Sequence, residues 1–270
     1  MKMISRIYTL LIFIFLYAPI TVLIVFSFNA SKSRSVWSGF TFYWYEKLFH
    51  NEQILTALSN TLIIAVISAI AATVLGTVAA IGIMSTNRLM KRMIMNITNL
   101  PMVNPEIVTG VSLMLLFVFL YDRFGILKPG MVTLILSHAT FCLPYVILSV
   151  LPKLRQMDSH LYEAAQDLGC PPVRSFFKVV LPEIMPGIVT GMMMAFTLSI
   201  DDFVISYFTS GTTQTLPIAI YSMTRKIVSP EINALSTILF AVVLVLLLAI
   251  NLRQIREGKE KTDAKGDKVR

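Results

Sequence analysis

Glu163-Ala164-Ala165-Gln166-Asp167-Leu168-Gly169, then nine residues, then Val179-Val180-Leu181-Pro182, lies between the fourth and fifth apolar runs of the chain. It is a polar two-helix signal in a sequence that otherwise reads as lipid-soluble. Asp158, Ser159 or His160 is placed to cap a short helix, and Glu163 in its first turn suits the helix dipole. Gly169 falls where a helix stops on a left-handed residue. Pro171-Pro172 opens a second helix, which Pro182 and Pro186 are expected to end or bend before the fifth run. Helix, glycine turn and helix make a small knuckle. Ala164 and Ala165 give it a low-relief surface that the groove of another protein can cover closely. The plain alternative is an amphipathic linker between two spans.

Outward from the knuckle the chain is apolar. Of 270 residues, 56% are hydrophobic and 14% charged, and the mean hydropathy is +0.74. A soluble domain carries about 25% charged residues, so the composition points to the bilayer. A helix needs about 20 apolar residues to cross the hydrocarbon core. Six segments qualify, Ile7–Phe28, Leu62–Met84, Ile107–Tyr121, Met131–Leu151, Ile184–Phe208 and Leu235–Leu252. The third is expected to begin near Met102, spanning 102–121 with Pro101 and Pro105 in its first turns. The expected fold is an all-α integral membrane protein with six transmembrane helices over residues 1–252, a cytoplasmic coupling loop at 153–183 and a disordered charged tail at 253–270. The first run is too long for a signal-peptide core and no good Ala-x-Ala site follows, so it reads as an uncleaved helix.

Orientation follows from Lys and Arg. With the N-terminus inside, Lys2, Arg6, Arg88, Lys91, Arg92, Lys153, Arg155, Arg174, Lys178 and the tail charges are cytoplasmic, more than twice the outside set of Lys32, Arg34, Lys47, Arg123, Lys128, Arg225 and Lys226. Both termini and the knuckle are then cytoplasmic. The net charge of +8 comes from these loops and the tail, which excludes a reading as a nucleic-acid binder. Outside, Phe40-Thr41-Phe42-Tyr43-Trp44-Tyr45 reads as an interfacial helix at headgroup level. Thr209–Ala234 is too apolar around Leu216–Met223 for a free loop and is expected to dip toward the pore.

Few polar groups lie within the spans. Asp201 and Asp202 fall in the fifth, past the midplane when counted at about 1.5 Å per residue from Ile184. An Asp at a helix centre costs about 2.5–3.5 kcal/mol, so the pair calls for water, a cation or a partner. Thr197 is one turn below Asp201 and Ser206 one turn above Asp202. Glu106, after Pro105, is a further candidate. Their functional reading is a transient site for a cationic solute. The structural one is an Asp that caps a broken helix or pairs with an Arg of a neighbouring subunit. His138 reads as a packed, hydrogen-bonded histidine, and His160 as part of the knuckle's cap. Cys142 and Cys170 form no CxxC pair, no His, Cys, Asp and Glu cluster has metal-ligand spacing, and no GxxxxGK sequence is present. No catalytic residue, metal or cofactor is expected in this chain.

The knuckle resembles the motif of permease subunits in ATP-binding-cassette importers: Glu-Ala-Ala, three residues, Gly, nine residues, Ile, one residue, Leu-Pro. It matches at Glu163, Ala164, Ala165, Gly169, Leu181 and Pro182, with Val179 in place of Ile. The resemblance covers nearly the whole chain and implies the type I importer permease fold, with the knuckle docked in a cleft of a cytoplasmic ATPase. It sharpens in Ser137-His138-Ala139-Thr140-Phe141-Cys142-Leu143-Pro144, in Phe196–Asp202, in Tyr221-Ser222-Met223 and in Ser229–Leu235, which are similar to the bacterial spermidine/putrescine permease subunits. That resemblance implies a bacterial inner-membrane location and a polyamine cargo for the Asp201, Asp202, Glu106 and Thr197 pathway. It also implies a second similar permease subunit, two copies of an ATPase subunit that bind ATP and Mg, and an extracytoplasmic polyamine-binding protein. A different small solute is the alternative cargo, and an ion-coupled carrier working alone is the alternative class.

Overall fold

A computed structural model of the chain describes residues 2–31, 36–158, 160–225, 230–242 and 244–245. Ser159, Ser229, the end of the sixth expected span and the 253–270 tail lie outside the described residues. Among the described residues the chain is helical, with one isolated β-bridge between Asn29 and Phe40 and no strand. The helices are α1 (Lys2–Ser27), α2 (Tyr43–Phe49), α3 (Glu52–Ser85), α4 (Arg88–Val103), α5 (Glu106–Phe124), α6 (Met131–Gln156), α7 (His160–Asp167), α8 (Pro172–Ser175), α9 (Leu181–Asp201), α10 (Val204–Thr209), α11 (Leu216–Arg225) and α12 (Glu231–Val242). Five stretches are long and apolar enough to cross a membrane: Arg6–Ser27, Glu52–Ser85, Glu106–Phe124, Met131–Gln156 and Pro172–Asp201.

Three expected boundaries are corrected. The third span starts at Glu106, not Met102. Met102 closes α4, and Asn104, extended at ψ 142° before Pro105, separates the two helices. Proline crowds the residue before it out of the helical region, so Pro105 ends one helix and starts the next. The fifth segment, read as one helix over 184–208, starts at Leu181 and breaks after Asp201. Pro182 and Pro186 do not end the helix that enters it. A π-helical turn at Phe176–Val180 joins α8 to α9, and Leu181 N–H reaches back to Phe176 O. That wider turn takes up the N–H missing at Pro182 and the ring's clash with the preceding turn.

The chain divides into two compact units. In Gln53–Tyr221 the core is a pair of antiparallel helices, α6 and α9. The buried face of α9 is Gly187, Gly191, Ala195 and Ser199, four residues apart. Against it lie Ser149 and Lys153, then Val146, then Cys142, whose thiol reaches Ala195 O at 3.4 Å, then His138. A Cβ on Gly187 would sit 2.8 Å from Ser149 O, and one on Gly191 3.1 Å from Val146 Cα. In a lipid-soluble bundle there is no hydrophobic drive between helices, so close approach of small residues supplies the attraction. On the other side of α6, a Cβ on Gly76 of α3 would lie 2.7 Å from Val146 Cγ1, and Ser68 donates to Ile135 O at 3.1 Å. The segment after α10 is held to α3, because Leu216 N–H donates to Thr61 Oγ1 at 2.8 Å and Asn60 to Gln214 O at 3.1 Å.

The second unit is Met1–Glu52 with Ser222–Arg270. Its α1 has no buried residue across its apolar stretch, as expected of a helix meant for lipid or a partner. Asn29 organises the loop that follows. Its side chain donates to Val36 O and accepts from Ser31 and Ser38 N–H, and its carbonyl takes the Trp44 indole N–H at 2.7 Å. Trp44 is therefore 2% exposed, not displayed at a headgroup surface, while Phe40, Phe42 and Tyr43 remain exposed. Lys47 pairs with buried Glu231 at the start of α12 and lies 5.9 Å from the Trp44 ring centroid.

Candidate functional site

The knuckle is a built object rather than a slack linker. Asp158 Oδ1 accepts from His160 N–H at 3.0 Å and opens α7, and the His160 ring stands 3.5 Å from Glu163 Oε2 on an exposed surface. Gly169, at φ +82°, closes α7. Its N–H reaches Gln166 O at 2.8 Å and Cys170 N–H reaches Ala165 O at 3.1 Å, the paired bonds of a left-handed helix stop. Pro171 then turns the chain into α8, and Ser175 N–H caps back on Pro171 O at 3.0 Å. Tyr162 and Phe176 pack inward on the α6/α9 core. Glu163 and Ala164 face out, Ala165 is half-buried, and Leu168 at the apex is 89% exposed. Leu181 and Pro182 are the first residues of α9. From Pro172 to Asp201 the chain is one 30-residue helical lever, about 45 Å long at 1.5 Å per residue.

At its far end the two neighbouring carboxylates part company. Asp201 is exposed on the last turn of α9, on the stripe that carries Thr197 one turn earlier. Asp202 is 8% exposed and turned inward. Its oxygens accept from Ile205 N–H at 3.3 Å and Ser206 N–H at 2.8 Å, so it caps α10. Those bonds offer the backbone an alternative to the helical ladder, and Asp202 takes an extended ψ of 117°.

His138 completes the joint. It is 2% exposed, with Nδ1 2.6 Å from Ser199 Oγ, Nε2 2.9 Å from Ser206 Oγ and Nε2 3.5 Å from Asp202 Oδ2. The Ser206 hydroxyl also bonds Asp202. Having one proton to give, it gives it to the carboxylate and accepts from His138 Nε2–H. Nδ1 then accepts from the Ser199 hydroxyl. Every member has a partner, which is the condition under which a buried polar network holds a fold. The network ties α6, α9 and α10 at the break. Thr133 Oγ1 fixes the other end of α10 through Thr209 O at 2.9 Å. Glu106 is exposed in the first turn of α5, on a separate element.

Sequence reasoning singled out His138, Asp201 and Asp202 but not Ser199 as their joint partner, nor the Gly187, Gly191, Ala195 and Ser199 stripe. Small residues every fourth position within an apolar run are the signal that finds it.

The family described as binding-protein-dependent transport system inner membrane component matches residues 72–256. The chain belongs to this family. Among its relatives, the putrescine transport system permease protein PotI of Escherichia coli (strain K12) is 43% identical over 237 residues, 87% of this chain and 84% of that protein. The spermidine/putrescine transport system permease protein PotC of the same organism is 40% identical over 242 residues, 89% and 90% of the two chains. In structure, a bacterial ABC transporter involved in the import of the acidic polysaccharide alginate superposes with a TM-score of 0.73 at 18% identity, covering 94% of this chain and 95% of that one. That likeness establishes the fold.

This inner-membrane transport component is thus a multi-pass bacterial permease and not an enzyme. Within it, the knuckle, the lever and the capped break form one continuous assembly.

Proposed function

We propose that the chain is one transmembrane subunit of an ATP-driven importer that carries putrescine or spermidine into the cytoplasm. The identity with the two polyamine permeases over nearly nine-tenths of the chain is the observation that carries this reading. The full importer adds a second, similar permease subunit, two copies of a cytoplasmic ATPase subunit that bind ATP and Mg, and an extracytoplasmic polyamine-binding protein. The N-terminus, the C-terminus and the knuckle are cytoplasmic, as the Lys and Arg distribution favours.

Glu163, Ala164, Ala165, Gly169, Leu181 and Pro182 make the ATPase-coupling element. Closure of the ATPases moves the knuckle, and the close α6/α9 contact makes the pair respond as one body. Displacement reaches the break, where Asp201 and Thr197 face the route of a cationic cargo and Glu106 adds negative charge at the head of α5. Asp202 serves the route by holding the break. Specificity is shared with the binding protein, which delivers the cargo.

The test is ATP hydrolysis by the reconstituted complex in lipid, titrated with putrescine and then spermidine. Stimulation that requires the binding protein is expected. A complex that is silent to both, yet stimulated by another solute, overturns the cargo and leaves the architecture. Polyamine transport by this chain without an ATPase overturns the importer.

A further inference from the structure

We infer that Phe203, Tyr207 and Tyr221 form a recognition platform for an organic ammonium group beside Asp201. The inference rests on the polyamine reading and names a chemistry for the break that the carboxylate alone does not supply.

Phe203 follows the break directly, Tyr207 is one turn further on α10, and Tyr221 comes in from α11. Their ring centroids are 4.6 Å apart for Phe203–Tyr221, 5.5 Å for Phe203–Tyr207 and 6.3 Å for Tyr207–Tyr221. Phe208 adds an edge contact to Tyr207 at 5.6 Å and 87°. Rings this close leave no room for an ion between them, so their mutual packing fixes orientation and the outer faces do the recognising. Tyr207 is 51% exposed. The face of an aromatic ring is the negative end of its quadrupole and attracts a cation within about 6 Å of the centroid.

Charge argues for the same occupant. Asp201 is exposed two residues before Phe203, and α9 and α10 contain no Lys or Arg to compete for its carboxylate or for the ring faces. A carboxylate and a fixed ring face side by side offer two different cation sites. A linear diamine, with ammonium groups at a fixed methylene spacing, bridges two such points. An inorganic cation fills only the first, so the platform selects organic polycations over metal ions and ranks them by spacer length.

The experiment uses the permease–ATPase assembly in lipid nanodiscs without the binding protein, probed with labelled putrescine and competed with 1,3-diaminopropane, cadaverine and Mg²⁺. Tyr207→Leu is expected to weaken putrescine binding about fivefold and flatten the ranking of the diamines, while Tyr207→Phe stays within about twofold of wild type. Unchanged affinity and ranking in Tyr207→Leu overturns the platform, as does a wild-type assembly that binds no putrescine. Uptake by the complete importer decides the polyamine reading separately, so either result leaves that reading standing while uptake persists. A complete importer that moves no polyamine removes both. Loss of subunit co-purification in Tyr207→Leu assigns the ring to a contact with the second permease subunit and also overturns the inference.

Discussion

Asp201 and Asp202 are chemically identical neighbours, and replacing each separately should produce opposite phenotypes. Asp202→Ala removes the acceptors for two backbone N–H groups, at 3.3 and 2.8 Å, and for the Ser206 hydroxyl, in a site where the side chain is 8% exposed. Loss of a helix cap costs about 0.5–2 kcal/mol, and hydrogen bonds to a charged group are worth about 1.5–3 kcal/mol. These are overlapping descriptions of one set of bonds, so about 2 kcal/mol is the working figure, close to a thirtyfold change in the folded population. Asp202→Asn keeps one carbonyl oxygen for capping and should recover about half of that loss. Asp201 is exposed and caps nothing, so Asp201→Asn should stay within about 0.5 kcal/mol of wild type in stability while lowering polyamine uptake. The assay is thermal unfolding of the purified complex beside uptake in proteoliposomes. Unchanged melting in Asp202→Ala, or melting of Asp201→Asn lowered as far as that of Asp202→Ala, would refute the division of roles.

Three further outcomes follow from other parts of the structure. Gly169→Val places a β-branched residue at φ +82°, where left-handed backbone costs about 1–2 kcal/mol; uptake and substrate-stimulated ATP hydrolysis should fall while the permease still reaches the membrane, and normal stimulation would remove the knuckle from coupling. Gly187→Val drives side-chain atoms toward Ser149 O, only 2.8 Å from a Cβ at that position, and should destabilise the α6/α9 pair by about 1–3 kcal/mol, seen as a lower melting temperature that Gly82→Val, with open space around it, does not share. Lys47→Met removes the ammonium facing buried Glu231 and should cost about 1 kcal/mol, discounted because Lys47 is 49% exposed; adding Glu231→Gln should restore part of it. Glu231 holds the Lys47 ammonium above its ordinary 10.5. The tie is therefore complete below that value and is lost only as pH rises through the higher, folded-state one.

Much of this was legible in the amino-acid sequence. Long apolar runs imposed helices because lipid leaves backbone groups no other partner. The Glu163–Gly169 spacing specified a helix, a left-handed stop and a new helix, since Gly169 alone among common residues takes that φ without strain and Pro171-Pro172 restarts the chain. These are local rules, readable within a few residues. What the sequence could not settle was which of two adjacent carboxylates turns inward. That depended on Ser206 and on His138, which lies sixty-odd positions away in the chain and arrives only when α6 packs on α9. The same distance hid the depth of Trp44, set by the carbonyl of Asn29, and the continuity of the lever through Pro182, set by a wider turn upstream. Local sequence determined the helices, the knuckle and the membrane environment, because each follows from short-range sterics and solvation. Tertiary packing alone decided where the fifth span breaks and which carboxylate is left exposed, because a buried polar group goes where partners from other helices satisfy it.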